Sequence, residues 1–181
     1  MQLCWDQDKY IAAYLYAAKA LNSKKFPGTD LPYMVHVSLV SMEVQAVLQV
    51  EPGLNGDLAL QCALLHDVIE DGGKTYEQIE NVFGTTVADG VSALSKNPEI
   101  ADKAIRMQDS LRRIQQQPRE VWIVKMADRI TNLQPPPEHW TPQRIKDYKK
   151  EALEIYDSLH SANAFLAKRL QIKIKKYGKP K

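Results

Sequence analysis

The run His66-Asp67-Val68-Ile69-Glu70-Asp71 carries four side chains able to hold a metal or move a proton. On a helix, His66 and Glu70 lie four apart, as do Asp67 and Asp71, while Asp67 and Glu70 lie three apart. All four then share one wall. They follow Leu58-Ala59-Leu60-Gln61-Cys62-Ala63-Leu64-Leu65, an almost wholly apolar stretch. Carboxylates beside an imidazole are costly to bury there unless a cation joins them. A metal ion supplies that cation.

An adjacent His-Asp pair does not complete a metal site, so further ligands must come from elsewhere in the chain. His36 stands in an apolar stripe with Met34, Val35, Val37, Leu39 and Val40, and Asp128 interrupts the core-like run Val124 to Ile130. Taken alone, His36 reads as a core histidine and Asp128 as a surface partner of Arg129. Taken with His66 and Asp67, they make a nitrogen/oxygen set. Such a set favours Mn²⁺, Fe²⁺ or Zn²⁺ over Ca²⁺, which prefers oxygen cages. Four protein ligands leave room for water and a phosphoryl oxygen. Glu70 and Asp71, close by but not needed as ligands, are then the candidate catalytic pair: one to accept a proton from water, the other to orient it or protonate the leaving oxygen.

The elements that position these residues all read as helices. Apolar spacing predicts helices over about 6–22, 32–50, 56–69, 75–83, 85–95, 100–116, 119–133, 141–159 and 161–176. Thr75-Tyr76-Glu77-Gln78 has the form of a capping box, and Thr141-Pro142 that of an N-cap followed by proline. Loops fall at 22–31, Glu51-Pro52-Gly53, Asp71-Gly72-Gly73 and Pro135-Pro136-Pro137. No hairpin or strand pair is predicted. The expectation is an all-α fold, one domain over 1–181 of seven to nine helices.

Composition narrows the class. The chain has 181 residues, 44% hydrophobic and 25% charged, enough for a full core without disulfide staples. The net charge of +2 is uneven. Lys168, Arg169, Lys173, Lys175, Lys176, Lys179 and Lys181 crowd the end, and without those seven, 17 basic residues face 22 acidic ones, a formal −5. A body of that sign is unsuited to neutralising nucleic-acid phosphates. The basic end reads as a solvated helix terminus favoured by the macrodipole. Cys4 and Cys62 form no CxxC pair and read as buried or half-buried thiols of a reducing compartment. No run is long and apolar enough to span a membrane, and Met1 to Tyr10 lacks the charge pattern of a signal peptide. The expected location is the cytoplasm.

His36, then His66-Asp67, then Asp128 is the ligand order of the HD superfamily of metal-dependent phosphohydrolases, which this chain resembles. In detail it is similar to the hydrolase domain of RelA/SpoT proteins and to the stand-alone small alarmone hydrolases. The matching segments are Leu31 to His36, Ala63 to Asp71, Thr75 to Ala88 with Phe83-Gly84, and Val124 to Leu133, together spanning about 17–134. The C-terminal helices, about 141–176, and the basic tail to 181 lie beyond that span. The resemblance implies a helical HD bundle and Mn²⁺-dependent removal of the 3′-pyrophosphate from (p)ppGpp or (p)ppApp. His36, His66, Asp67 and Asp128 match its metal ligands, and Glu70 and Asp71 its water-activating pair. Asn132 matches a nucleotide contact, and Lys24 and Lys25 fall near an Arg-Lys pair that stacks on the base and meets phosphate. The implied partner is a small nucleotide, with no nucleic acid or membrane; a homo-oligomer is compatible.

Three departures bear on the base. Val37 replaces the usual proline after the first histidine. Lys24 replaces arginine and lacks its planar face for stacking. Gln134-Pro135-Pro136-Pro137 replaces the usual continuation of the nucleotide pocket. Adenine therefore stands beside guanine as the expected base. Two other readings compete: an HD phosphohydrolase of nucleoside monophosphates, and a non-catalytic nucleotide-binding module, against which the intact ligands and acids argue. Lys96, Arg106, Arg112 and Arg113 read as a solvated helix face, with charge available for the distal diphosphate. Trp5, Trp122 and Trp140 read as packing residues, and His139 and His160 as surface.

Overall fold

The computed structural model describes residues 4–178. Among these, the helices are α1 (Gln7–Ala20), α2 (Met34–Val50), α3 (Gly56–Leu65), α4 (Tyr76–Phe83), α5 (Thr85–Leu94), α6 (Lys103–Gln115), α7 (Arg119–Asn132), α8 (Pro142–Leu159) and α9 (Ala164–Lys176). A 3-10 turn, His160–Ala162, separates the last two. The only strand-like feature described is a bridge between Lys25 and Pro32. The fold is all-α.

Local chemistry sets most helix starts. Asp6, Asn55, Asp102, Thr141 and Asn163 each accept backbone N–H bonds at an N-terminus. Thr75 and Gln78 form the predicted capping box. Asp102 is also why α6 begins at Lys103 rather than near residue 100. Asn163 likewise starts α9 after the 3-10 turn, so the predicted helix over 161–176 divides there.

α3 is the central element, with nine of its ten residues buried. It packs against α1, α2, α5 and α7. A Cβ on Gly90 of α5 would lie 2.7 Å from the Cys62 sulfur and 3.0 Å from Val121, so glycine permits the close approach of α5 to α3 and α7. Cys62 is buried, and burial together with the charge of Glu120 pushes its thiol up to about 12. Cys4, just before α1, is exposed, contrary to expectation, although it lies against Gly56 at the start of α3.

The predicted helix over 56–69 ends four residues early. The ring of His66 bonds the Ala63 carbonyl at 2.8 Å, and Val68 N–H bonds Leu65 three residues back. The chain then closes through Asp71 and Gly72 N–H bonds to the Asp67 carbonyl. His66 to Asp71 therefore form a turn capping α3, not its last helical wall. Gly72 sits where a Cβ would come 2.7 Å from the Val68 carbonyl oxygen and 3.0 Å from Ala20.

Of the C-terminal basic residues, Lys173, Lys175 and Lys176 occupy the last turn of α9, where the helix dipole favours them. Arg169 instead makes a two-pronged pair with buried Glu43 of α2. Lys179 and Lys181 lie outside the described residues. No described helix is long and apolar enough to cross a membrane.

Candidate metal centre and active site

Three elements meet at the centre: the first turn of α2 brings His36, the turn after α3 brings His66 and Asp67, and α7 brings Asp128. A carbonyl oxygen only accepts, so the bond to Ala63 requires His66 Nδ1 to carry the proton. The Nε2 lone pair of His66 is thereby turned into the site. It lies 3.2 Å from Nε2 of His36 and 2.9 Å from Asp67 Oδ2. Asp67 Oδ2 is 3.6 Å from His36 Nε2, and Asp128 Oδ1 lies 3.4 and 4.0 Å from the two imidazole nitrogens. His36, His66 and Asp67 form the tightest set, with Asp128 at its edge.

Two nitrogens facing each other at 3.2 Å cannot share that space without a cation or a proton between them. Burial alone would lower the His36 imidazole, but Asp128 and Asp67 outweigh it and raise it to about 9. His66 is raised in the same way by Asp67 and Asp128 against the opposing effect of burial. Burial would raise both carboxyls, yet His66 and His36 hold Asp67 well below its usual range, and Lys125 with the histidines does so for Asp128. Protons on the imidazoles thus supply positive charge that a divalent cation would otherwise bring. Nδ1 of His36 is buried without a protein partner, so only its Nε2 side is engaged. The donor set fits a divalent metal of intermediate hardness.

A second set of contacts braces these ligands. The Tyr33 hydroxyl donates to Asp67 Oδ2 at 2.6 Å, and burial with that carboxylate's charge raises the phenol so that it stays protonated. Lys125 Nζ donates to Asp128 Oδ2 at 3.0 Å, and Asn132, one turn along α7, donates to Oδ1. Lys125 is itself buried. Tyr33 and Lys125 both lie in the segments that carry the resemblance, but the sequence alone assigned neither a role at the site.

The catalytic candidates pair with different parts of the chain. Glu70 pairs with Lys96 at the end of α5, at 2.9 Å, and Asp71 pairs with Lys24 at 3.2 Å. Lys25 is exposed in the same loop as Lys24. The other three cations of the predicted basic face are committed elsewhere. Arg106 bonds the Ile100 and Ala101 carbonyls, Arg112 pairs with Asp109, and Arg113 bonds Asp109 and the carbonyls ending α5.

Beside the centre opens a cavity of about 780 Å³ lined by Tyr33, Asn132, Phe26, Trp140, Arg144 and Tyr148, among others. Phe26 stacks near His36 with centroids 5.6 Å apart, which gives the pocket an aromatic wall although Lys24 is turned to Asp71. Arg144 lies 4.2 Å over the Trp140 ring, and Trp140 meets Tyr148 edge-on. Trp140 is therefore a pocket wall and not only a packing residue. Gln134, Pro135 and Pro137 also line this cavity, where the sequence departs from its resemblance. His139 and His160 are exposed.

Comparison with known proteins agrees with this geometry. The family model described as HD domain matches residues 13–165. Guanosine-3′,5′-bis(diphosphate) 3′-pyrophosphohydrolase MESH1 of Danio rerio is 30% identical over 159 residues, covering 86% of each chain. The bifunctional (p)ppGpp synthase/hydrolase SpoT of Escherichia coli is 29% identical over 160 residues, which is 85% of this chain and 22% of SpoT. The solved structure of a metazoan ortholog of SpoT that hydrolyses ppGpp superposes with a TM-score of 0.82 at 25% identity, covering 96% of this chain and 98% of that one. With its paired histidines, its His-Asp turn and its aspartate on α7 all in place, the chain belongs to the HD domain family, in the branch that holds MESH1 and the SpoT hydrolases.

Proposed function

We propose that this protein is a metal-dependent hydrolase that removes the 3′-pyrophosphate of guanosine 3′,5′-bis(diphosphate), releasing pyrophosphate and a 5′-nucleotide. The observation that carries this reading is the convergence of two imidazole Nε2 atoms, 3.2 Å apart, with Asp67 and Asp128, beside a cavity of about 780 Å³ that Tyr33 and Asn132, the hydrogen-bond partners of those two carboxylates, help to line. His36, His66, Asp67 and Asp128 would hold the metal, and the mixed nitrogen/oxygen donors suit Mn²⁺, with Fe²⁺ and Zn²⁺ as the alternatives to compare. When bound, a divalent ion polarises the phosphoryl group and eases loss of a proton from water.

The chain's own groups do the rest. Glu70 accepts the proton of the attacking water, and Asp71 returns one to the nucleotide 3′-oxygen as its bond to phosphorus breaks. Tyr33 and Lys125 fix the carboxylates of Asp67 and Asp128 in the orientation that ligation needs. Asn132 contacts the nucleotide, with Phe26 and Trp140 offering faces to the base, and Lys24 and Lys25, in the loop that leads to Phe26, approach its phosphates from outside the cavity lining. The wall of Gln134, Pro135 and Pro137 meets the base at its edge, and this altered wall is the reason to test the adenine analogue beside the guanine one. Both described cysteines are free, which fits work in the reducing cytoplasm.

The test is product analysis with each metal and a panel of ppGpp, ppApp and deoxynucleoside monophosphates. Pyrophosphate from a 3′-diphosphate nucleotide is the expected result. Orthophosphate from a monophosphate, with ppGpp and ppApp untouched, would overturn the proposal.

A further inference from the structure

Resting on that reading of the site, we propose that Lys96 changes partners during the reaction: its ammonium rests on Glu70 until the substrate's diphosphate takes it, while its backbone N–H keeps Glu70 aimed. One residue holds both oxygens of the carboxylate. Lys96 Nζ donates to Oε1 at 2.9 Å, and Lys96 N–H donates to Oε2 at 3.1 Å. The two bonds differ in kind. The backbone bond belongs to the fold, and the ammonium bond belongs to a flexible side chain that is 40% exposed.

The mount of that backbone bond is rigid. Lys96 follows Ser95, the residue that ends α5. Arg113 of α6 gathers the carbonyls of Ser92, Ala93 and Ser95 at 2.7, 3.3 and 2.8 Å, and its own Nε is held by Asp109 at 2.8 Å. The Ser95 hydroxyl bonds the Val91 carbonyl at 2.9 Å. Segment 92–96 is therefore fixed to two helices without help from the lysine side chain.

The ammonium bond, by contrast, is easily given up. An ion pair this exposed is worth little, whereas an ammonium on a phosphate oxygen forms a stronger charge-assisted bond. A diphosphate entering among Asp67, Glu70, Asp71 and Asp128 also needs a cation at that point. Of Lys96, Arg106, Arg112 and Arg113, Lys96 alone has its charge on a carboxylate of the site. While Nζ donates to Oε1, its charge makes that oxygen a weaker base toward water. Transfer of the ammonium to phosphate frees Oε1 and leaves Oε2 anchored. The base is thereby released when, and because, a polyanion has arrived.

The experiment is a double-mutant cycle on the full chain with E70Q and K96M, read by calorimetric titration with inorganic pyrophosphate, and accompanied by steady-state kinetics of K96M and K96R. If the partner is exchanged, E70Q tightens pyrophosphate binding by several-fold more with Lys96 present than in K96M. K96M should raise KM by about tenfold, with kcat falling no more than about threefold because the backbone N–H still aims Glu70. K96R should restore most of the KM. Equal tightening by E70Q in both backgrounds, or loss of kcat with KM unchanged, would show a fixed orienting pair and overturn the inference. A wild-type chain that binds pyrophosphate through Lys96 but hydrolyses no 3′-diphosphate nucleotide would sink the proposed function and leave the exchange standing.

Discussion

Glu70 and Asp128 are both acids of the same site, and their surroundings separate their roles. Glu70 reaches outward to Lys96, whereas Asp128 is buried against Lys125, Asn132 and the two imidazoles. E70Q is expected to retain metal and lose about 10²–10⁴-fold in turnover, as removal of a general base does. D128A is expected to lose metal and turnover together. Metal content by elemental analysis alongside rate separates the two, and E70Q turning over at the wild-type rate would remove Glu70 from the chemistry. The imidazoles add a pH dependence. With its folded value raised from 6.5 to about 9, His36 stabilises the metal-free chain fully below pH 6.5, and that stability is lost as pH rises through 9. Metal binding displaces the same proton, so stabilisation by metal should grow from pH 6.5 to pH 9. Denaturation with chelator and with Mn²⁺ at both values checks the sign.

At the scale of elements, the turn after α3 matters more than the helix itself. Its geometry depends on the His66 ring taking the Ala63 carbonyl and on the absence of a Cβ at Gly72. G72A drives a methyl against the Val68 carbonyl and should cost about 1–3 kcal/mol, with a fall in metal affinity because His66 and Asp67 move with the turn. An equal loss of stability with unchanged metal affinity would show that the turn and the ligands are uncoupled. The capping box of α4 makes a useful contrast. T75A removes a side-chain acceptor remote from the metal and should cost about 1 kcal/mol without changing affinity, as chemical denaturation and metal titration would show.

For the whole molecule, the candidate ligands come from α2, the turn after α3, and α7, three separate parts of the chain. Metal binding therefore ties distant parts of the chain in the folded state alone. At a free metal concentration about a hundredfold above Kd, linkage supplies about 2.7 kcal/mol. For a chain of this size that amounts to a rise in Tm of roughly 5–10 °C, to be read by calorimetry with and without chelator. An unchanged Tm would place the metal outside the folded-state ligand set. The uneven charge is resolved on the same scale. Four of the acids in the negative body gather where a cation is needed, while the basic helix α9 uses Arg169 to pair with buried Glu43 and leaves its last-turn lysines at the helix end.

Sequence alone determined the all-α fold, because helix period, caps and prolines act within a few residues and leave a local trace. It also picked out the candidate ligands, since a histidine or acid set in an apolar run is conspicuous by itself. What it placed wrongly was the wall carrying His66 to Asp71: helical spacing was read through a segment where a ring N–H competes for a backbone carbonyl. Only the tertiary structure decided that Lys96 meets Glu70, that Lys24 meets Asp71, that Lys125 is buried on Asp128, and that Trp140 faces a cavity. A lysine just past a helix end has the same local pattern whether its neighbour is water or a carboxylate 26 residues away. Which of these it meets depends on how the helices pack, and that is set by long-range burial, not by spacing along the chain.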